Sequence, residues 1–401
     1  MRVTSMLADI QYQIQQSQQA LATATQQVST GLRVNQLSDD PAAASNMVIS
    51  LGVSANVDTY TSNISSVLPQ MQTADSAISS IVTSLNTAVT VGTQGATGTN
   101  TAANTQAIAT QVEGLLTGVI AQANTSFQGV YLFGGTESTT PPFVAASTTY
   151  TSSNGSVATP LASSSGLTNG SVTTVSDATT GDTFTFKATG GDTVASLITA
   201  ISNAVSAGTL SAGTTATINA NGQLSIGTNN TADGIVVNSN DPVLGTMSAA
   251  SGTAVANAYA YVGNSSVNSV QVGESMSIPT NLPGNQLLVS GANVIGSLNK
   301  LITALQSGTS SQIGTATAAV SAALNYVSQQ RVPLDNTISQ LNAEDSSLSS
   351  EKLTLTTQQT ALVGINLADA ATNLSQAELD NSAVLAAAAK IMPQTLLQYL
   401  Q

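Results

Sequence analysis

The stretch VTSMLADIQYQIQQSQQALATATQQV, residues 3–28, decides how the rest of the chain is read. Its positions Val3, Leu7, Ile10, Ile14, Ser17, Leu21, Ala24 and Val28 alternate steps of four and three without a slip. That spacing keeps one seam of an α-helix facing a partner helix. Between them lie Gln, Ser, Thr and Ala, with only Arg2 and Asp9 charged, so shape rather than salt bridges must select the partner. The large apolar groups on the seam are worth about 1.5–3 kcal/mol each when fully buried, while an isolated helix of this length is marginal in water. The stripe therefore reads as a docking surface that orders when its partner arrives.

Composition narrows what such a chain can do. At 401 residues it is long enough for two or three domains, yet aromatics are 3% and charged residues 7% of the total, against about 25% charged in ordinary domains. Twenty acidic and seven basic residues give a net charge of −13, which opposes nucleic-acid binding. Cysteine and histidine are absent, removing disulfides, thiolate chemistry, most zinc sites and the commonest general base. An enzyme would have to work with carboxylates, hydroxyls and a few lysines, and no cofactor or metal site is expected. No run of about 18 apolar residues is available to span a bilayer, since the most apolar segment, 384–392, is short and contains Lys390. The glutamine-rich start lacks the apolar core of a secretory signal, so an extracellular fate requires export without a cleavable signal peptide.

Outward from the opening stripe, Gly31 supplies the left-handed residue that ends a helix, and residues 35–40 read as a loop. Asp40-Pro41 then restarts a helix, Asp as N-cap and Pro at the first helical position. The group Ser38, Asp39, Asp40 and Pro41 is read as capping and loop chemistry rather than as a carboxylate site. A second stripe runs Ile64, Val67, Met71, Ala74, Ile78, Ile81, Leu85 and Ala88, with Pro69 inside it expected to kink or split the helix near 67–70. Residues 92–98 read as a turn, and Ile108, Val112, Leu115 and Val119 as a third stripe antiparallel to the second.

After Phe127 the character changes. Val130-Tyr131-Leu132-Phe133 reads as a strand, and residues 137–288 are rich in Ser, Thr, Gly and Asn with short alternating runs such as Thr183-Phe184-Thr185-Phe186. Asn221-Gly222 marks a hairpin between Ile218 and Ile226, of the kind two-residue turns favour. Val194, Leu197, Ile198, Ile201 and Val205 make a short amphipathic helix with Asp192 as cap. Residues 267–283 form a further strand pair, Val270 and Val272 against Met276 and Ile278. Helix returns with Val294, Leu298, Leu301 and Leu305, then with a long stripe from Val320 through Val327, Arg331, Leu334, Ile338, Leu341 and Asp345 to Leu348. Asp345 is read as reaching to solvent; Arg331 either does the same or fixes register, with Asp335 as an intrahelical partner.

The tail repeats the theme of the start: Leu374, Leu379, Val384, Leu385, Ala388 and Ile391, then the apolar end with Leu396, Leu397 and Leu400. Antiparallel pairing of the two chain ends closes one very long loop at only logarithmic entropic cost. The fold class is therefore α+β: long helices from both ends packed as a coiled-coil-like bundle, with a β-rich domain inserted in the middle. Residues 1–40 and 360–401 form the terminal helical domain, 41–136 and 290–359 a helical bundle, and 137–289 the inserted outer domain. The assembly interface is assigned to Val3, Leu7, Ile10, Ile14, Leu21, Val28, Leu374, Leu385, Ile391, Leu396, Leu397 and Leu400.

Several segments resemble the bacterial flagellin superfamily. They are Met1-Arg2-Val3-Thr4, Val28-Ser29-Thr30-Gly31-Leu32-Arg33-Val34 and Ser38-Asp39-Asp40-Pro41-Ala42-Ala43. Within it, Tyr131-Leu132-Phe133-Gly134-Gly135-Thr136-Glu137 with Pro141-Pro142-Phe143, and Tyr261-Val262-Gly263-Asn264 through Leu282-Pro283-Gly284, are similar to the hook–filament junction branch, the hook-associated protein 3 family. The end, Ile391-Met392-Pro393-Gln394-Thr395-Leu396-Leu397-Gln398-Tyr399-Leu400, is similar to the carboxyl end of that branch, although Pro393-Gln394 also occurs in flagellin tails. The resemblance implies a non-enzymatic structural subunit of the flagellum. Its implied partners are flagellin, the first hook-associated protein, copies of itself and a flagellar export chaperone, with no nucleic acid and no membrane. Flagellin itself is the alternative reading. An adhesive or glycan-binding surface protein built on residues 137–289 is a third, opposed by the scarcity of aromatic platforms and paired carboxylates.

Overall fold

The structure, a computed structural model, describes residues 2–156, 159–178, 181–229, 234–250 and 254–399. The helices are α1 (Arg2–Thr30), α2 (Pro41–Gly95), α3 (Ala102–Ala123), α4 (Val194–Ser206), α5 (Val294–Ser307), α6 (Ser310–Val363) and α7 (Leu367–Tyr399), with a π-helical turn at Asn285–Val289 before α5. Among the described residues, thirteen short strands lie between α3 and that turn, so helices from both ends frame a β-rich middle. The chain divides into two compact units, Met1–Ser62 with Ala343–Gln401, and Asn63–Asn342.

In the second unit, the helical part packs the stripes read from the sequence. Ile64, Met71, Ile78, Ile81, Leu85 and Ala88 of α2 are buried together with Val112 and Val119 of α3, Leu298, Leu301 and Leu305 of α5, and Val320 and Val327 of α6. On α3 the phase is slightly rotated, since Leu116 is fully buried and Leu115 only half-buried. Helix α2 runs on to Gly95 instead of turning at Gly92. Gly92 and Gly95 continue the buried stripe, and a Cβ on Gly92 would come 2.6 Å from Thr317 Oγ1, while one on Gly95 would strike Leu305. Both glycines thus permit close helix approach rather than chain reversal. Nor does Pro69 split α2, which is continuous through it. Pro69 is exposed, so the Ser65 carbonyl that loses its N–H partner faces water, which limits the cost of the missing bond.

The β-rich part is built on two antiparallel sheets. The first five-stranded sheet has the order β11 (Ala254–Tyr261), β3 (Phe143–Ser147), β9 (Ile235–Ser239), β5 (Val172–Asp177), β6 (Thr183–Lys187). The second, four-stranded, has the order β10 (Met247–Ala249), β4 (Thr149–Ser152), β8 (Leu224–Thr228), β7 (Thr214–Ile218). Between them and α4 lies one core containing Ala146, Val175, Leu197, Ile201, Leu224, Ile226, Ile235 and Val237. The hairpin from Ile218 to Leu224 does not use a two-residue turn. Asn219 N–H donates to Gln223 O (2.9 Å) and Gly222 N–H to Asn219 O (2.9 Å), leaving three residues in the loop with Gly222 at φ +75°, the three-residue hairpin with a glycine bulge. The cap of α4 is Thr193, in a capping box with Ser196, and not Asp192. Asp192 instead accepts from Thr189 N–H at 2.8 Å in the preceding turn.

Where a strand over 130–133 is expected, only Val130–Tyr131 (β2) pairs, with Ser126–Phe127 (β1), while Leu132 and Phe133 are buried. The two-residue link, Gln128 and Gly129, has positive φ at both positions, as the tight hairpin turn requires. The last pair, β12 (Ser269–Gln271) and β13 (Ser277–Pro279), sets Val270 opposite Ile278 as expected.

Candidate assembly surface

In the first unit, α1 and α7 pack against each other along their length. Ser17 Oγ donates to Asn381 Oδ1 at 3.2 Å, and at the other end Ile365 N–H donates to Gly31 O at 3.1 Å, so the two run antiparallel. On α1 the seam is the one read from the sequence: Ile10 and Ala24 are buried, and Ile14, Ser17, Leu21 and Val28 half-buried. On α7 it differs. The inward positions are Ala370, Leu374, Ala377, Asn381, Val384 and Ala388, while Leu379 and Leu385 are exposed. The reason is phase, because steps of four and three from Leu374 reach Ala377, Asn381 and Val384 and carry Leu379 and Leu385 to the other side. Val3, Leu7, Ile391, Leu396 and Leu397 are described as helical backbone alone, and Leu400 lies outside the described residues.

A knot of hydrogen bonds ties this pair to the starts and ends of the longer helices. Gly31, at φ +69°, ends α1 with its N–H on Gln27 O (2.9 Å). Arg33 N–H donates to Val363 O at 2.6 Å, and its guanidinium reaches both Leu362 O (2.9 Å) and Asp40 Oδ2 (3.1 Å). Asp39 Oδ2 accepts from Asn35 and Gln36 N–H, both at 2.9 Å. Asp40 Oδ1 caps α2 by accepting from Ala43 N–H at 3.0 Å. That bond, then Arg33, holds the Asp40 carboxyl below its usual range. Ser38 is exposed in the turn, and Pro41 opens α2. Val34, Ala43 and Val363 form a small apolar cluster beneath. The carboxylates here are spent on capping, as their spacing suggests.

In the second unit, the segments that lead into and out of the β-rich part converge. Asn264 Oδ1 accepts from Thr136 N–H (2.9 Å), Val262 N–H donates to Pro142 O (2.8 Å) and Gly284 N–H to Phe133 O (2.7 Å). Tyr261 stacks at a tilt on Phe143, ring centroids 5.2 Å apart, and its hydroxyl donates toward Asn264 O at 2.7 Å. Burial raises the Tyr261 hydroxyl above its ordinary pKa. Between α2 and α6, Arg331 makes a two-pronged pair with Asp75 (2.5 and 3.0 Å), with Asp335 3.7 Å away. Arg331 therefore fixes register across helices, the intrahelical contact being secondary. Asp345 is half-buried.

Residues 4–138 match the family described as the bacterial flagellin N-terminal helical region. The chain carries a flagellin-type amino-terminal region. That flagellin-type region takes in α1, the Gly31–Asp40 turn, α2 and α3, and stops at the threshold of the β-rich part. No curated protein matches the sequence. Among solved structures, a protein described as a flagellar hook-associated protein from Vibrio parahaemolyticus is similar with a TM-score of 0.50 and 15% identity, over 81% of this chain and 100% of that chain. The two share a fold. FlgL from Bacillus cereus is 13% identical over 78% of this chain and 99% of its own, with a TM-score of 0.45. Flagellar hook associated protein-3 from Legionella pneumophila is 11% identical over 78% of this chain and 98% of its own, with a TM-score of 0.39.

Beyond the flagellin-type region, one segment corrects a sequence expectation. Asn285–Ser307 has the length and mean hydropathy, 1.2, of a membrane span. It is broken by extended Ser290 and left-handed Asn293, and Leu287, Leu288, Val294, Leu298, Leu301 and Leu305 are buried in the protein's own core. Among the described residues, no group of three or more His, Cys, Asp or Glu is placed to hold a metal ion.

Proposed function

We propose that the chain is a structural subunit of the bacterial flagellum that serves as the adaptor between hook and filament. The observation that carries this reading is the antiparallel pairing of α1 with α7 in a chain whose first third is flagellin-type and whose fold is that of a hook-associated protein. A subunit of this kind works by surface rather than by chemistry. Its terminal helices, with Val3, Leu7, Ile10, Ile14, Leu21, Val28, Leu374, Leu385, Ile391, Leu396, Leu397 and Leu400, pack against those of neighbouring copies. The first hook-associated protein adjoins it on the cell-proximal side and flagellin on the distal side. It is exported without a cleavable signal, guarded beforehand by an export chaperone, and resides outside the cell. No catalysis is assigned to it.

The test is a strain lacking the gene, viewed by electron microscopy. Hooks without filaments and flagellin shed to the medium are expected; normal filaments would defeat the reading. Polymerisation of the purified chain alone into long filaments would favour flagellin instead. Replacing Ile14 with Asp should block assembly while circular dichroism of the β-rich part stays unchanged.

A further inference from the structure

Three Asn-Gly pairs occur in the chain, Asn154-Gly155, Asn169-Gly170 and Asn221-Gly222, all within the β-rich part. An asparagine followed by glycine is chemically unstable, because no side chain shields the glycine nitrogen from the neighbouring amide. That nitrogen, on losing its proton to water or hydroxide, attacks Cγ of the asparagine. The new N–Cγ bond replaces the bond from Cγ to Nδ2, and Nδ2 takes up a proton and leaves as ammonia. Water then opens the cyclic imide at either carbonyl, giving aspartate or an isoaspartyl link whose main chain is one methylene longer. No oxidant or reductant is involved. Identical pairs react alike in an unfolded chain, so any difference between them is made by the fold.

The fold holds each pair differently. At Asn154 the amide itself is held: Nδ2 donates to Pro242 O (2.8 Å) and Val243 O (3.2 Å). At Asn221 the nucleophile is held and packed. Gly222 N–H donates to Asn219 O at 2.9 Å, Gly222 is buried, and an added Cβ would lie 2.6 Å from Pro160. At Asn169 both residues of the pair are exposed. Its side chain has no hydrogen-bond partner among the described residues, and a Cβ on Gly170 would meet nothing within 4 Å. Ser171 N–H closes this turn on Thr168 O at 3.0 Å, with Gly170 at φ +87°, the arrangement of a type II turn. A single bond restrains the nucleophile there, from Gly170 N–H to Ala188 O at 2.8 Å.

Two of the three pairs share a support. Asp241, 1% exposed, accepts at Oδ2 from Thr168 N–H (2.9 Å) and from the Ser171 hydroxyl, the two ends of the Asn169 turn. Its Oδ1 accepts from Val243 N–H at 2.8 Å, which fixes the turn whose carbonyls hold Asn154. We propose that Asn169 is the site at which the folded protein deamidates, and that Asp241 restrains both Asn169 and Asn154. Conversion at Asn169 adds a negative charge to a chain already at −13 and sets it in the turn braced by the Asp241 carboxylate, where like charges repel. An isoaspartyl link lengthens the span that Asp241 bridges, so conversion at Asn169 loosens the hold on Asn154 in turn.

The test is peptide mapping by mass spectrometry after incubation of the full-length chain in mildly alkaline buffer, both folded and in urea. In urea the three sites should convert at similar rates. In the folded chain Asn169 should slow by no more than about tenfold, as one net hydrogen bond allows, while Asn154 and Asn221 should slow at least about ten times more. Folded-state conversion of Asn154 or Asn221 at the rate of Asn169 or above overturns the assignment. Asp241→Asn keeps the shape of the side chain but removes its charge and one acceptor. It should speed Asn169 and Asn154 by about fivefold or more, with Asn221 unchanged as the internal reference. Failure of either site to speed up overturns the role of Asp241. Arrival of all three sites at their urea rates would mean that the substitution unfolds the β-rich part. Ser171→Ala, which removes one bond to Asp241, then takes its place: faster conversion at Asn169 with Asn221 unchanged supports the proposal, and any other result overturns it.

Discussion

The two compact units dispose of their apolar residues in opposite ways. Among the described residues, eleven of the fourteen large apolar side chains that stand exposed belong to Met1–Ser62 with Ala343–Gln401, although that unit is the smaller. Its own buried apolar groups are few, Ile10, Val34, Val57, Leu348 and Val363 with several alanines. Asn63–Asn342 instead hides Phe133, Phe143 and a continuous set of Ile, Leu and Val. One unit completes its core within the chain; the other leaves apolar surface for something outside it. Stability should therefore reside in the second unit and assembly in the first.

The sharpest way to break this contrast is to cut the second unit's core. Ile81→Ala, at a fully buried site, should cost about 2–5 kcal/mol in urea unfolding followed by circular dichroism. A cost under about 1 kcal/mol would mean that the core is looser than its burial indicates. Next comes the cross-helix pair. Arg331→Met removes two charge-assisted bonds from half-buried groups and should cost about 1–2 kcal/mol, whereas Lys352→Met, at an exposed pair with Asp58, should stay within about 0.5 kcal/mol.

The same pair sets an acid dependence. Hydrogen bonding to Arg331 lowers the Asp75 pKa from the usual 3.8, so its contribution is present above that value and is lost as pH falls through the folded pKa. Asp335 runs the other way: burial and the nearby Asp75 raise its pKa, so its neutral form is favoured and stability drops slightly as it ionises. Asp75→Asn should flatten the acid limb of a stability–pH curve below about pH 4; an unchanged limb would assign acid sensitivity to other carboxylates. Loss of the α4 cap in Thr193→Ala should cost about 1 kcal/mol, and Asp192→Ala less. Smallest of all, Ile49→Ser in the first unit, at an exposed site, should change monomer stability by no more than about 0.5 kcal/mol, setting surface against core in one substitution.

Strong periodicity was legible in advance. The α1 seam, the α2 stripe from Ile64 to Ala88 and the α6 stripe from Val320 to Leu348 were readable because large apolar residues recur there at three and four. The α7 seam was not, because its inward positions include Ala370, Ala377 and Asn381, whose small or polar side chains leave no mark in a hydrophobic pattern. Glycine misled at 92 and 95 for a related reason: a residue without a Cβ signals either a turn or a close approach, and only the neighbour, Thr317 or Leu305, distinguishes them. Of the site, the Asp39–Asp40 capping loop was legible because caps are local. The groove that Ile49 and Val53 of α2 form with Leu355 and Leu362 of α6 was invisible, because its two sides lie far apart in the sequence.

By itself, then, the sequence determined the framing of a β-rich middle by helices, the helix starts at Asp40-Pro41, and the exclusion of thiol and imidazole chemistry, since each follows from local spacing or from residues that are absent. Tertiary structure alone decided that Arg331 reaches Asp75 rather than solvent, that Leu379 and Leu385 turn away from α1, and that α2 buries Ser50 while showing Ile49. Those outcomes depend on which face of a helix another segment, distant in sequence, comes to cover. A periodic pattern fixes the angles between side chains but not the direction in which the partner lies.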